Sequence, residues 1–212
     1  TIVGDRRIKL FNNYNVKFYN FFSKSKDLIK QYEKINDIQL KGITPLDLKK
    51  DNFVESQSIS TIKWREYNVF QFYNTDIHKI FKSLSKLIHE ACEYYEIDFE
   101  SQQYMVQGWF NINYTKKGKL DWHDHGPHPA PFFHGYYSVN AEPSITHYKV
   151  NGKDVENHNI NNRMIVSEMA HPHAMADWSW EGPRITLAYD IVPLKSLLGN
   201  SLAIEQHWVP LL

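Results

Sequence analysis

Apolar positions along the chain change their period near residue 100. Before it, in NVKFYNFFSKSKDLIKQYEKI (residues 15–35), Val16, Phe18, Tyr19, Phe22, Leu28, Ile29 and Tyr32 recur at roughly helical spacing, with lysines between them, which predicts an amphipathic helix. A second helix is predicted over NTDIHKIFKSLSKLIHEACEYYEI (residues 74–97), capped by Thr75 or Asp76 and presenting Ile77, Ile80, Phe81, Leu84, Leu87, Ile88 and Cys92 on one face. Residues 42–71 between them carry Gly and Pro punctuation and short alternating runs, and read as loops with one or two strands.

After residue 100 the period becomes two. QYMVQGWFNINY, FFHGYYSVN, SITHYKV, NRMIVSEM and RITLAYDIV are short runs rich in aromatic and β-branched residues, mostly bounded by Gly, Pro, Asn or Asp. Helices followed by strands predict an α+β chain, mainly β in its C-terminal half, with a β sandwich or barrel covered on its outer face by the helices. In RITLAYDIV, Ile185, Leu187, Tyr189 and Ile191 alternate with Arg184, Thr186, Ala188 and Asp190, so the two sets face opposite ways. If the apolar set meets the helices, Arg184 and Thr186 point into the barrel mouth, where a guanidinium calls for an anionic partner. The alternative is a surface Arg at a strand start.

Length and composition fit one domain. The 212 residues are 42% hydrophobic and 15% aromatic, enough for a real core, and no internal repeat is visible. With 24 Lys+Arg against 24 Asp+Glu the formal net charge is +0, so no global field favours nucleic acid or an anionic membrane. Cys92 is the single cysteine and has no internal disulfide partner, which suits a reducing compartment; no apolar run approaches membrane-spanning length, and a soluble cytoplasmic protein is expected.

The chemistry concentrates in DWHDHGPHP (residues 121–129). In extended chain His123 and His125 project to the same side, with Asp121, while Asp124 points away, so the pair offers two imidazoles to one metal ion. A third ligand is available in AHPHAM, as His171 or His173. Two ligands from one strand end and one from a distant strand leave coordination positions open, which is the arrangement of catalysis. The competing reading makes them polar loop residues, and His128, His134, His147 and His158 are assigned to that class.

In order, His123-x-His125, GYYSVN, Pro172-His173 and Arg184-x-Thr186 resemble the iron(II)- and 2-oxoglutarate-dependent dioxygenases, especially their prolyl-hydroxylase-like branch, over about residues 105 to 192. The resemblance implies a double-stranded β-helix, of the jelly-roll or cupin kind, over residues 101–212, supported by a helical and loop layer over residues 1–100. It implies Fe(II) held by His123, His125 and His173, and 2-oxoglutarate, as cosubstrate with dioxygen, held through its far carboxylate by Arg184 and Thr186 with help from Tyr137. It favours His173 over His171 as the distal ligand. His125 stands where that family has Asp or Glu. Asp121 is the fallback carboxylate, and cysteine-dioxygenase-like cupins, with three histidines and no 2-oxoglutarate, are the alternative enzyme class. Trp109, Asn111 and Asn113 share a strand face that would line the pocket, with Trp178 and Trp180 at its rim. The expected partner is a small-molecule or peptide substrate; a non-catalytic β-sandwich binding module is the remaining reading.

Overall fold

The structure, a computed structural model, describes residues 3–7, 58–63, 67–72, 74–113, 120–125, 133–168, 171–176, 178, 183–198 and 207–211. The helix expected over residues 15–35 lies outside them. The described elements run β1 (Val3–Arg7), β2 (Ser58–Ser60), α1 (Thr75–Tyr94), β3 (Tyr104–Asn113), β4 (Leu120–His123), β5 (Phe133–Asn140), β6 (Ile145–Val150), β7 (Lys153–His158), β8 (Arg163–Glu168), β9 (His173–Met175), β10 (Arg184–Pro193), α2 (Leu194–Leu197) and β11 (Val209–Pro210). Among the described residues, no helix is long and apolar enough to cross a membrane.

Helix α1 forms where the apolar spacing predicts it, but its cap is one residue earlier. The Asn74 side chain accepts from the backbone N–H groups of Asp76 (2.9 Å) and Ile77 (3.2 Å), so Asn74 rather than Thr75 or Asp76 closes the first turn, and Asp76 sits inside that turn near the positive end of the helix dipole. Ile77, Ile80, Leu84, Leu87, Ile88, Ala91 and Cys92 are buried on the face that meets the sheet.

The strands form two antiparallel sheets. The larger has the order β1-β8-β5-β10-β3-β11 with β2 also on β3; the smaller has the order β4-β9-β6-β7. Strand β10 lies at the centre of the larger sheet and is buried at all ten positions. Its alternation divides two cores. Ile185, Leu187, Tyr189 and Ile191 join the α1 side chains in the outer core, with Val106, Phe110, Tyr137 and Val166 from neighbouring strands. Ala188 faces the other way and packs with Trp109, Tyr136 and Ile165 against Tyr148 and Val150 of the smaller sheet, so the two sheets close face to face. The parity of RITLAYDIV thus reads correctly from sequence.

Strand β7, KDVENH, carries no apolar run and gives no strand signal in the sequence. It is the edge of the smaller sheet, mostly exposed, with Asn157 as its one buried residue. An edge strand needs no apolar outer face, and charged side chains there discourage pairing with another chain. Gly135 in β5 marks a close approach: a Cβ there would collide with the Ile165 carbonyl oxygen, which accepts the Tyr189 hydroxyl proton at 2.7 Å.

Candidate metal centre

Three histidines converge between the sheets. In the antiparallel pairing of β4 with β9, His123 stands directly opposite His173, and His125 follows two residues later on the same side of the chain. Each offers one ring nitrogen such that the three atoms lie within 4.8 Å of one another. The ring centroids are 4.2 Å apart for His123 and His173, 5.2 Å for His125 and His173, and 5.7 Å for His123 and His125. His173 sits deepest.

The second nitrogen of each ring is already engaged. His123 Nδ1 lies 2.9 Å from the Asp121 carbonyl oxygen, His173 Nδ1 lies 3.4 Å from the His171 carbonyl oxygen, and His125 Nδ1 lies 2.6 Å from Asp190 Oδ1 on β10. A carbonyl oxygen can only accept, so in His123 and His173 Nδ1 carries the proton and the neutral ring leaves Nε2 bare. A carboxylate imposes the same tautomer on neutral His125. With each ring in its neutral form, three Nε2 lone pairs from three pinned rings are a donor set that suits a divalent transition metal and leaves further positions open.

The electrostatics agree with ligation for His173. Burial, reinforced by the charges of His123 and His125, pushes its pKa down to about 3, so it is neutral wherever the protein works. At His125 burial also opposes the cation, but the Asp190 charge, its hydrogen bond and the Asp124 charge together outweigh it and raise the pKa above the ordinary 6.5. A metal ion bound to these rings would have to displace a proton from His125 at any pH below that raised value, and none from His173. Affinity for a divalent ion is expected to fall as pH falls through this range, with protons released on binding at about pH 6 and fewer at about pH 8. Calorimetry in buffers of different ionisation enthalpy measures that release; equal release at both pH values would contradict the assignment.

The fallback ligands stand apart from the triad. Asp121 is exposed and serves through its backbone carbonyl, while His171 Nδ1 pairs with Ser167 Oγ at 2.9 Å and its Nε2 lies 3.8 Å from Glu168. Arg184 and Thr186 are both buried on the inner face, 4% and 3% exposed. Arg184 is therefore no surface residue. Its Nε donates to Ser144 Oγ (3.1 Å) and its Nη2 to Thr146 Oγ1 (3.4 Å), and among the described residues no carboxylate meets it. Burial draws its pKa below the ordinary guanidinium value, although a guanidinium stays charged in a protein.

Tyr137 does not join Arg184. It pairs with Leu187 across β5 and β10, lies in the outer core, and donates its hydroxyl to Asn162 Oδ1 at 2.8 Å. The expectation fails on parity: in a Tyr-Tyr run on a strand only one ring can face inward, and that ring is Tyr136, whose hydroxyl meets Asn157 and Asn159. Trp109 lines the inner face 6.2 Å from the His125 ring, Asn113 donates to Met175 Sδ at 3.7 Å, and Asn111 accepts from Ser60 Oγ at 2.6 Å. Trp178 is buried, and Trp180 lies outside the described residues.

Three residues of the site escaped sequence reading. His134, assigned to the polar surface, is 2% exposed; its ring lies 4.5 Å from His173 and 4.8 Å from His125, and its buried Nε2 has no hydrogen-bond partner among the described residues. Tyr148 stacks 5.4 Å from His173, and its buried hydroxyl has no hydrogen-bond partner among the described residues. Asp190 pins His125. The inward parity of His134 with Tyr136, and of Asp190 with Arg184, was available in the sequence, but parity says which face a residue shares and not what it meets there.

No family model and no curated protein sequence matches the chain. Among solved structures it is similar to an oxidoreductase of the 2OG-Fe(II) oxygenase family from Burkholderia pseudomallei, at 16% identity and TM-score 0.38 over 42% of this chain and 45% of that one. It is also similar to a prolyl-4-hydroxylase from Pseudomonas putida, at 8% identity and TM-score 0.46 over 71% of this chain and 88% of that one. HygX from Streptomyces hygroscopicus, solved with nickel and 2-oxoglutarate bound, matches at 10% identity and TM-score 0.42 over 72% of this chain and 81% of that one. The chain thus spans less than half the length of the Burkholderia protein.

Proposed function

We propose that the chain is a non-haem iron(II) oxygenase that couples 2-oxoglutarate decarboxylation to hydroxylation of a small-molecule or peptide substrate, with residues 101–212 forming a double-stranded β-helix catalytic core on a supporting layer of residues 1–100. The observation that carries this reading is the guanidinium of Arg184, buried on the inner face of the larger sheet among hydroxyls, with no carboxylate partner among the described residues. Burying a cation among hydroxyls is unfavourable unless an anion arrives.

The spacing supports a dicarboxylate. Arg184 Nη2 meets Thr146, which pairs with Met175, while Tyr148 two residues on pairs with His173. Two residues of strand separate these layers by roughly 7 Å, a gap suited to a chain of four carbon–carbon bonds of ~1.5 Å each between a metal-bound head and a guanidinium-bound tail.

His123, His125 and His173 would hold the ion through Nε2. When bound, iron(II) supplies the redox chemistry that links oxidative decarboxylation of 2-oxoglutarate to oxidation of a C–H bond. The rest is done by the chain. Arg184 binds the far carboxylate by a charge-assisted fork, and Thr186, on the same face, adds a hydroxyl. Trp109, Tyr136, Tyr148, Ile165 and Ala188 keep the space between the sheets dry, which strengthens that contact and shields the reaction from water.

A second reading, a three-histidine cupin-type enzyme without 2-oxoglutarate, is favoured by His125 standing where a carboxylate is expected. One experiment separates the two. Anaerobic protein loaded with Fe(II) is titrated with 2-oxoglutarate, the metal-to-ligand absorption of the chelate is followed, and air is then admitted and succinate measured. The expected result is a saturable band and iron-dependent succinate; iron binding with neither would select the cupin reading.

A further inference from the structure

We propose that Asp190 is the carboxylate of this metal site, placed one hydrogen bond away from the ion, and that it acts by positioning His125 and by supplying the negative charge that the triad itself lacks. The proposal rests on the metal-binding part of the function proposed above and is independent of 2-oxoglutarate.

A site of two histidines and one carboxylate gives a divalent ion a net charge of +1, whereas three neutral imidazoles leave it at +2. Here the second ligand is His125, and behind it stands a carboxylate at 2.6 Å, a short contact of the charge-assisted kind. Asp190 reaches it from β10 of the larger sheet, across the sandwich from the β4 and β9 residues that carry the other two ligands. The pair is shielded, with side chains 15% and 12% exposed for His125 and Asp190. Across the sheet Asp190 is flanked by Gln107 on β3 and His134 on β5, both uncharged in this setting, and among the described residues His125 is its ion-pair partner. Against a neutral His125 ring this buried carboxylate would be poorly compensated, and without metal only a proton on the far nitrogen makes the pair ionic. A cation on the far nitrogen of that ring completes the compensation, and the ring conducts the interaction in both directions: the ion favours the carboxylate, and the carboxylate makes Nε2 a better donor.

The two contributions have different chemical requirements. Positioning needs an acceptor opposite Nδ1; charge needs an ionised oxygen. Asp190→Asn keeps the shape but removes the charge, and its amide can turn to donate to Nδ1, which moves the ring proton to Nε2 and blocks the nitrogen that must bind metal. A residue that merely packed there would tolerate the isosteric change with no effect on metal.

The test uses Zn(II), which is diamagnetic and redox-inert, on the metal-free full chain. Calorimetric titration is expected to show tight binding by the wild type and an affinity lowered roughly 10–100-fold in Asp190→Asn. Imidazole nitrogen NMR is expected to show His125 protonated at Nδ1 and metal-bound at Nε2 in the wild type, and a shift toward the Nε2-protonated tautomer in metal-free Asp190→Asn. Unchanged Zn(II) affinity in Asp190→Asn, or wild-type spectra in which His125 binds through Nδ1, would overturn the role of Asp190 alone. Absence of Zn(II) binding in the wild type would overturn the metal reading with it. The NMR assignment is made on the wild type, so the proposal stands or falls even if the variant does not fold.

Discussion

Arg184→Met is expected to lose 2-oxoglutarate binding while folding at least as stably as the wild type. A buried charge-assisted contact of this kind is worth about 2–5 kcal/mol, roughly a 30- to 4000-fold loss of affinity at 1.4 kcal/mol per tenfold. Stability moves the other way because the unliganded protein keeps a guanidinium out of water with hydroxyls as its partners. Its removal orphans little. Ser144 still donates to the Ala141 carbonyl and accepts from Asn159 Nδ2, and Thr146 Oγ1 still accepts from Asn159 Nδ2 at 3.2 Å. Met refills the space with an unbranched apolar chain, so a change between zero and about 2 kcal/mol in favour of the variant is expected, up to roughly 4–8 °C in Tm. Thermal unfolding of the metal-free protein and anaerobic titration of the iron-loaded protein measure the two effects separately. Arg184→Lys should recover part of the affinity, since a point charge lacks the planar fork. A variant that is strongly destabilised yet binds 2-oxoglutarate normally would make Arg184 a structural residue and leave the cupin reading ahead.

His173→Ala is expected to abolish metal binding, and His171→Ala to leave it nearly intact. The first removes one of three Nε2 donors, a loss larger than the 10–100-fold that outer partners usually cost. The second removes a ring that contacts Ser167 and Glu168, while the His171 backbone carbonyl that receives the His173 Nδ1 proton remains in place. Asp121→Ala should behave like His171→Ala for the same reason, because its contact with His123 is made by backbone. Equilibrium dialysis of each variant against Ni(II) or Zn(II) gives the comparison. Loss of metal in His171→Ala with retention in His173→Ala would reverse the distal assignment.

Much of this molecule is written in local pattern. The 3.6-residue spacing of Ile77, Ile80, Leu84, Leu87 and Ile88 sets α1, and the alternation of Arg184 through Ile191 sets both the strand and its two faces, because side-chain direction on a helix or strand depends only on backbone geometry. The pair His123-x-His125 shares a side for the same reason. The cap at Asn74 lay one position from the expected one, since several polar residues there compete to reach the same N–H groups. Strand β7 has no local signature, being an edge whose pairing comes from its neighbour.

What tertiary structure alone decided is which residues meet. His173 rather than His171 faces His123 because β9 pairs with β4 in one register; His171 and His173 have the same parity, so strand alternation alone does not choose between them. Tyr136 rather than Tyr137 turns inward because β5 is held against β10 with Ala188 opposite it. The approach of Asp190 to His125, 65 positions apart, and the burial of His134 beside His125 and His173 follow from closing one sheet over the other. Periodicity fixes direction within an element, but contacts across a sandwich depend on register and sheet packing, which no short stretch of sequence contains.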